Sequence, residues 1–219
     1  PVNDAPIITA IANQVIEEDT SLTLDLSATD VDLDPLTFTA ESIDSDASII
    51  VDGSSLTITP ADNYNGSFTV DVSVTDGIIT VPTSFTVTVS PVNDTPVLPE
   101  LTDANIDEDG TYTVGLSATD VDEDDLTYFA QVDGNGFASV DGSALSVTPD
   151  TDFYGSILVS ITVSDGQASD SGSFTLIVNP VNDAPIITAI ANQLIEEDTS
   201  LTLDLSATDV DGDNLVFTA

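Results

Sequence analysis

The feature that most constrains the fold is a long internal repeat whose start is marked by the tetrapeptide Pro-Val-Asn-Asp. It begins at Pro1, Pro91 and Pro180, so successive copies are spaced by 90 and 89 residues. This unit is longer than a helical solenoid repeat and has the size of a small β-sandwich domain. We therefore predict three domains, which are repeat 1 (residues 1–90), repeat 2 (91–179) and the N-terminal part of repeat 3 (180–219).

Repeat 3 is almost a copy of the start of repeat 1. Residues 180–219 match residues 1–40 at all positions except the pairs 15/194, 33/212, 35/214 and 37/216. Because these residues supply less than half of a unit, we expect either that the segment belongs to a longer chain or that a neighbouring chain completes its sandwich by strand addition. The first alternative is favoured.

The composition excludes most catalytic chemistry. The chain has 40 acidic residues, no Lys, Arg, His or Cys, and a formal net charge of −40 at pH 7. It cannot build a histidine triad, a thiolate nucleophile or a Cys/His zinc site, so we predict that it is not an enzyme. Nucleic acids and anionic membrane surfaces would be repelled. The missing positive charge must come from solution, and hard cations such as Ca²⁺ prefer the carboxylate and carbonyl oxygens that this chain offers.

Apolar residues alternate with polar ones in short runs, which is typical of half-buried β-strands. Leu22, Leu24 and Leu26, for example, alternate with Thr23 and Asp25, and Asp-Gly or Asn-Gly pairs separate many of the runs as turns. Counting the runs gives about seven strands per full repeat. The sequence thus predicts an all-β protein of tandem seven-stranded antiparallel Greek-key sandwiches, of the cadherin or immunoglobulin type, arranged as a rod.

Three groups of acidic residues recur at fixed places in the repeats. One is an Asn-Asp pair in the linker, one is an acidic run before the Leu-x-Leu-x-Leu strand, and one is an Asp-x-Asp-x-Asp loop after that strand. Alternate residues of an extended segment point to the same side, so the loop carboxylates repel one another unless a cation bridges them. The members are Asn3-Asp4, Asn93-Asp94 and Asn182-Asp183; residues 17–19, 107–109 and 196–198; and Asp30, Asp32, Asp34, Asp120, Asp122, Asp124, Asp209, Asp211 and Asp213.

Together these motifs resemble those of cadherin-like tandem repeats in large bacterial surface adhesins. The counterparts are Pro-Val-Asn-Asp-Ala-Pro in the linker, with Thr95 replacing the Ala in the middle copy, the early Glu17 or Glu18, Asp62, and Ala-Thr-Asp-Val-Asp. The resemblance spans the whole chain. It implies Ca²⁺ as the cofactor, held between adjacent repeats by the linker and by loops of both domains.

The resemblance also implies which residues hold the ions. At the junction of repeats 1 and 2 they are Glu17, Glu18, Asp62, Asn93, Asp94, Asp120, Asp122 and Asp165. At the junction of repeats 2 and 3 they are Asp107, Glu108, Asp152 (or Asp150), Asn182, Asp183, Asp209 and Asp211. Half of a further site is formed by Asp4, Asp30, Asp32 and Asp76. The alternative for the Asp triplets is a set of solvated turns without a bound ion. For Glu17, Glu18, Asp107 and Glu108 the alternative is that acids before an edge strand prevent edge pairing.

The function implied is that of a calcium-stiffened extender in an extracellular adhesin or filament protein on the bacterial cell surface. Such a segment spaces an adhesive tip from the cell and supports adhesion and biofilm formation. Its partners are the neighbouring repeats, reached through Ca²⁺, and other copies in a filament, with no insertion into the membrane. The alternative is a β-sandwich module that binds carbohydrate or protein. The aromatic residues give that alternative little support, because Tyr112 and Tyr128 fit the core pattern and only Phe129 lies outside it.

Overall fold

The computed structural model describes residues 2–42 and 47–218, and the chain divides into two compact units, Pro1–Asn93 and Asp94–Ala219. Both units are built from β-strands. In the part of the chain that the structure describes, no helix has the length and apolar character needed to cross a membrane.

The described residues of unit 1 form a sandwich with one four-stranded sheet and one three-stranded sheet. The larger sheet has the order β2-β9-β8-β5 and the smaller one has the order β3-β7-β6, while β1 pairs with β4. Strand β2 runs parallel to β9, and the other pairs are antiparallel. The strands are β1 (Ile7–Ile8), β2 (Gln14–Glu17), β3 (Leu22–Asp25), β4 (Ala28–Thr29), β5 (Thr37–Ser42), β6 (Ala47–Asp52), β7 (Ser55–Pro60), β8 (Gly66–Thr75) and β9 (Thr80–Ser90).

Unit 2 repeats this architecture over its first part. The larger sheet has the order β10-β16-β15-β12 and the smaller one the order β11-β14-β13, and a single bridge between Val97 and Thr119 stands in place of the first short pair. The strands are β10 (Ala104–Asp107), β11 (Tyr112–Gly115), β12 (Thr127–Val132), β13 (Gly136–Asp141), β14 (Ala144–Pro149), β15 (Gly155–Ser164), β16 (Ser169–Asn179), β17 (Ile186–Ile187) and β18 (Ala207–Thr208).

The alternating apolar pattern becomes the core of each sandwich. In unit 1, Leu56, Ile58 and Val70 are fully buried between the two sheets, and Leu145, Val147 and Val159 are their counterparts in unit 2. Polar residues of the same strands face outward, as the two-residue period of a β-strand requires. The Asp-Gly turns also form as predicted, since Gly53 and Gly142 adopt φ angles of +61° and +60°.

The strand content differs from the sequence prediction in three places. The two-residue strand β4, which pairs with β1, was not predicted. Strands β2 and β10 were not predicted, because each is a four-residue edge strand whose position is set by parallel pairing with the last strand of its repeat. In residues 180–219, where the match to repeat 1 predicts counterparts of β1, β3 and β5, the structure describes only the short pair β17 and β18. Residues 201–204, the counterpart of β3, form no strand in the described chain. In repeat 1, β3 is held by β7.

Core packing in unit 1 can be tested with two isoleucines of neighbouring strands. Ile58 on β7 is 0% exposed, whereas Ile50 on β6 is 60% exposed. We expect Ile58→Ala to lower the free energy of unfolding by about 2–5 kcal/mol, because it removes buried methyl groups and leaves a cavity. Ile50→Ala should cost less than about 1 kcal/mol. Urea unfolding of the two variants measures the difference, and equal losses would contradict the assigned strand faces.

Candidate metal centre

Five carboxylates of unit 2 converge near the linker between repeats 2 and 3. Ligand oxygens of Glu108, Asp183 and Asp211 all lie within 4.8 Å of one another, and the same holds for Asp109, Asp152 and Asp183. Asp183 belongs to both groups. We call these five residues the unit 2 acidic centre.

The buried member of the centre is Glu108, which is only 6% exposed. It directly follows β10, and its backbone N–H donates to the carbonyl of Asn179 at 2.9 Å, which extends the parallel pairing of β10 with β16 by one residue. The Oε1 atom of Glu108 accepts a hydrogen bond from the backbone N–H of Val181 in the linker. The edge strand and the linker therefore fix this carboxylate in one position.

The linker and repeat 3 supply the next two carboxylates. The backbone N–H of Asp183 donates to Oδ2 of Asp211 at 2.6 Å, so the loop after β18 is held against the linker. The same contact exists in unit 1, where the N–H of Asp4 donates to Oδ2 of Asp32 at 2.8 Å. Because the same contact occurs in both units, the hydrogen bond between the linker Asp and the loop Asp is a recurring feature of the repeat.

The last two members, Asp109 and Asp152, meet through a pair of strained turns. Both have positive φ angles, of 58° and 56°, and the N–H of Asp152 donates to Oδ1 of Asp109 at 3.3 Å. In repeat 1 the N–H of Asn63 donates to Oδ1 of Asp19 in the same way, at 3.0 Å. Repeat 2 thus has a carboxylate where repeat 1 has an amide.

Crowding of negative charge changes the acidity of the shared residue. Lost hydration, and then the carboxylates of Asp152 and Asp211, raise the pKa of the Asp183 carboxyl above its ordinary value of 3.8. No cationic side chain exists to offset this, because the chain has no Lys, Arg or His. The centre is therefore arranged so that a cation would relieve the repulsion within it.

Each full repeat also folds its Asp-x-Asp-x-Asp triplet around the first aspartate. Oδ1 of Asp120 accepts the backbone N–H groups of Asp122 and Asp124, at 3.0 and 3.3 Å, and the three side chains bring ligand oxygens within 4.8 Å of one another. Oδ2 of Asp120 is buried and has no hydrogen-bond partner. Lost hydration, followed by Asp120 and Asp122, raises the pKa of Asp124.

The triplet of repeat 1 has the same geometry. The N–H of Asp32 donates to Oδ1 of Asp30 at 2.8 Å, and Oδ2 of Asp30 is again buried without a hydrogen-bond partner. A buried carboxylate oxygen without a donor is unfavourable in a folded protein. Because both triplets carry one, the orphaned oxygens point to a group that the polypeptide does not itself supply.

Asp76 contacts the linker residue Asn3 in unit 1 and has a partner for each of its carboxylate oxygens. Its Oδ1 accepts the N–H groups of Ile78 and Ile79, both at 2.7 Å, and its Oδ2 accepts the Asn3 amide at 2.9 Å. The N–H of Ile79, the Asn3 amide and the N–H of Ile78 lower the pKa of Asp76. This carboxylate is thus already stabilised as an anion by the fold.

The structure does not bring all the predicted residues of unit 2 into the acidic centre. Asp107 directs Oδ1 toward the Asn179 amide, and Oδ1 of Asp209 accepts the N–H of Asp213. The Asn182 amide donates to the neighbouring carbonyl of Asp183. Asp165 holds its own turn, because its Oδ1 accepts the N–H groups of residues 167 and 168.

The predicted residues of the first junction are described separately in each unit. In unit 1, Glu18 is 3% exposed and its Oε1 accepts the N–H of Val92 at 2.6 Å, while Glu17 and Asp62 are exposed. In unit 2, the N–H of Asp94 donates to Oδ2 of Asp122 at 2.7 Å. The assignment of these residues and Asn93 to one ion site stays a prediction from the sequence.

Sequence reasoning missed Asp109 as a member of the centre. Its signal is its place in the acidic run 107–109 next to the predicted Glu108, but the turn that directs its carboxylate toward Asp152 is not visible in the sequence. The third aspartates of the triplets, Asp34 and Asp124, were likewise noted as acids without being assigned to a site. The structure groups each of them with the other two.

The donor set fits calcium. Every ligand in the unit 2 acidic centre is a carboxylate oxygen, and Ca²⁺ accepts six to eight oxygen ligands in flexible geometry. Soft transition metals would need thiolate or imidazole ligands, which this chain lacks.

Comparison with known protein families gives a match for each full repeat. Residues 2–90 match the family model of the cadherin-like domain. Residues 93–177 match that of the bacterial Ig domain. Domains of these two kinds are modules of extracellular and surface proteins and are generally non-catalytic.

Solved structures with a similar fold include two cadherins. Human protocadherin-24 EC1-2 is 17% identical with a TM-score of 0.53, and the match covers 80% of this chain and 98% of that one. Drosophila N-cadherin EC1-4 is 17% identical with a TM-score of 0.52, covering 82% and 50%. At these identities the likeness establishes the fold alone, and it confirms the predicted tandem β-sandwiches.

A curated relative is Chitinase A of Pseudoalteromonas piscicida. It is 31% identical over 117 residues, which are 52% of this chain and 14% of the chitinase. The chain therefore spans a small part of this relative's length.

Electrostatic repulsion in the acidic centre can be tested without metal. In EDTA at pH 7 we expect Asp183→Asn to raise the melting temperature, because it removes the charge shared by both groups of carboxylates. The gain should shrink as the pH falls. The folded protein binds the Asp183 proton more tightly than the unfolded chain does. The destabilisation that the Asp183 charge causes in the wild type is therefore lost as the pH drops through the raised pKa toward 3.8.

Asp141→Asn is the matched control for this measurement. It makes the same charge change in the exposed Asp-Gly turn after β13, where Asn is equally suited. Thermal unfolding followed by circular dichroism between pH 3 and pH 8 compares the two variants. An equal gain in both would show that only the net charge matters and that the centre is not specially repulsive.

Proposed function

We propose, from the match of residues 2–90 to the cadherin-like domain and of residues 93–177 to the bacterial Ig domain, that the chain is a calcium-stiffened extender region of a large extracellular bacterial adhesin or filament protein. In this role it spaces an adhesive tip from the cell surface and supports cell adhesion and biofilm formation. Ca²⁺ is the cofactor of each junction, and the neighbouring repeats are the partners that it joins.

The observation that carries this proposal is the position of Asp183. It lies in the linker, and its carboxylate meets Glu108 and Asp152 from repeat 2 as well as Asp211 from repeat 3. A cation bound there would contact both repeats and the segment that joins them. The residues that would hold it are those of the unit 2 acidic centre, and the ion would supply the positive charge that the chain lacks.

Binding of an ion would restrict the linker by replacing repulsion with shared ligation. Without the cation, carboxylates from the two repeats repel one another at short range, which favours separation of the groups. With it, the same groups gain by staying together. Val181 and Asp183 are already held by Glu108 and Asp211, so the chain itself provides a partly organised site. The equivalent ligand set for the junction of repeats 1 and 2 remains a prediction from the sequence.

The proposed location suits the chemistry of the site. Extracellular calcium-binding modules typically bind Ca²⁺ with dissociation constants of about 10⁻⁴ to 10⁻³ M, which fits an exposed site that is filled only where free Ca²⁺ is abundant. Such a segment would be flexible in a calcium-poor environment and stiff outside the cell. An array of this kind needs no catalytic residue.

Calcium dependence can be tested through Glu108. At about 100 times the dissociation constant, Ca²⁺ should raise the free energy of unfolding of the wild type by about 2.7 kcal/mol. We expect Glu108→Gln to weaken Ca²⁺ binding by at least about tenfold and to lose most of that gain, because it removes the charge of a buried ligand. Isothermal titration calorimetry measures the affinity, and X-ray scattering with and without EDTA measures the end-to-end distance.

Glu100→Gln is the matched control, since Glu100 is exposed and lies outside the acidic centre of the same unit. It should bind Ca²⁺ like the wild type. If EDTA changes neither the melting temperature nor the end-to-end distance of the wild-type chain, the extender proposal is wrong. If Glu100→Gln weakens binding as much as Glu108→Gln does, the ion does not sit in this centre.

A second candidate function is carbohydrate or protein binding by a β-sandwich face. It is supported by two exposed aromatics of unit 2, Phe129 at 64% and Phe137 at 69% exposure, and by the stretch shared with a chitinase. Tyr112 and Tyr128 pack against the core instead. A glycan array, with Phe129→Ala as the variant, tests this candidate, which requires binding by the wild type that the variant loses.

A further inference from the structure

Unit 2 carries an open groove on the outer face of its three-stranded sheet, β11-β14-β13. The groove has a volume of about 390 Å³, and most of its lining side chains are small or polar. None of the five carboxylates of the unit 2 acidic centre lines it. The lining residues that face outward from the sheet are Thr113, Gly115, Ser139, Asp141, Ala144 and Ser146.

An aromatic side chain stands beside this groove on the edge strand β13. Phe137 is 69% exposed, and it faces the same side as Ser139 and Asp141 because alternate residues of a strand share a face. Phe137 lies opposite Thr148 of β14, and Asp141 lies opposite Ala144. Since a strand rises about 3.3 Å per residue, Phe137 and Asp141 are about 13 Å apart along β13. The face therefore presents an aromatic ring and a carboxylate with hydroxyl groups between them.

The hydroxyl groups in the middle of this face are available to a ligand. Ser139 lies opposite Ser146, and Ser146 lies opposite Thr113. In the described part of unit 2, the hydroxyls of these three residues have no hydrogen-bond partner on the protein. In the same row of repeat 1, by contrast, the hydroxyls of Thr23 and Thr57 are paired at 3.5 Å. Each hydroxyl of the repeat 2 row can donate one hydrogen bond and accept two.

Gly115 opens the groove, although the fold does not require a glycine there. Its φ angle is not positive, and a Cβ atom at this position would meet nothing within 4 Å. The equivalent residue of repeat 1 is Asp25 on β3, which lies opposite Ser55, and Ser55 lies opposite Asp52. That row of repeat 1 thus carries two carboxylates. Repeat 2 keeps one of them as Asp141 and has open space in place of the other.

The charge and chemistry of the groove select a neutral ligand that is rich in hydroxyl groups. The chain has 40 acidic residues and no basic ones, so an anionic ligand would be repelled. A cationic ligand would meet one carboxylate, Asp141, whereas the acidic centre of the same unit offers five. Hydroxyls of a ligand can bond to serine and threonine and, more strongly, to a carboxylate. An aromatic ring adds a surface for an apolar face.

We propose that the outer face of the β11-β14-β13 sheet binds a neutral oligosaccharide. Phe137 packs against the apolar face of one sugar ring, and the hydroxyls of a neighbouring sugar bond to Ser139 and Asp141 above Gly115. The site goes beyond the calcium-dependent role and is independent of it. It also differs from the face that carries Phe129, because Phe129 lies on β12 of the larger sheet.

The site can be located by NMR spectroscopy of the full 219-residue chain. Soluble neutral oligomers of glucose, mannose and N-acetylglucosamine are titrated separately, once with EDTA and once with Ca²⁺. An oligomer of galacturonate is the anionic counterpart. We expect at least one neutral oligomer to shift the backbone amide signals of β11, β13 and β14 in both buffers. The galacturonate oligomer should leave these signals unchanged, because the chain repels it.

Three variants test the assigned roles. Phe137→Ala should weaken binding by about tenfold or more, because it removes the aromatic surface. Gly115→Asp should have an effect of about the same size, because it fills the groove and adds a second carboxylate. Repeat 1 has Asp at the equivalent place, so this change is compatible with the fold. Phe129→Ala is the matched control and should bind like the wild type, since it removes an exposed aromatic ring from the other sheet.

Four results would overturn the inference. They are unchanged β11, β13 and β14 signals with every neutral oligomer, equal binding of the galacturonate oligomer, binding that requires Ca²⁺, and binding that Phe129→Ala loses while Phe137→Ala keeps it. The last result would assign sugar binding to the larger sheet and so support the second candidate function. A melting temperature that does not respond to EDTA would contradict the extender proposal alone, because the sugar site needs no ion.

Discussion

Mutual repulsion of carboxylates, with no cationic side chain to offset it, is the constraint on which the rest of the structure depends. In most proteins an acidic loop is balanced by nearby Lys or Arg, but this chain has neither. Its sheets keep acids off the core, and its loops and linker collect them. Stability of the repeats therefore rests on apolar burial and backbone pairing, while the carboxylates of the linker have no cationic side chain to neutralise them.

The sandwich positions its acids by using their oxygens as caps for backbone N–H groups. Glu18 and Glu108 bind the linker N–H groups of Val92 and Val181, and Asp32 and Asp211 bind those of Asp4 and Asp183. Each such bond uses one oxygen and leaves the other available. The same contacts thus hold the polypeptide in place and present a set of free carboxylate oxygens, so that an ion would add to an existing arrangement.

Sequence reasoning could predict the parts of this arrangement that follow from a local period. The two-residue alternation of β8 and β15 identified the core, and the recurrence of Asp120 and Asp122 identified the loop acids. It could not predict β2, because a four-residue edge strand depends on the partner β9 for its register. Nor could it find Asp109, whose contribution depends on the positive φ angles of two separate turns that bring it to Asp152.

Tandem repetition also has a physical consequence for specificity between repeats. The cores of repeats 1 and 2 differ in shape. In repeat 2, Tyr112 stands in place of Leu22 of repeat 1 and packs on Phe174, with ring centroids 5.7 Å apart. A segment whose side chains fit one of these cores would be too large or too small for the other. This disfavours the exchange of such a segment between adjacent repeats. Residues 1–40 and residues 180–219 lack this protection, because their core-facing residues are the same. Side-chain shape therefore keeps segments of adjacent repeats apart. For segments with the same core-facing residues, only the covalent connection selects the partner, and misassembly is possible there.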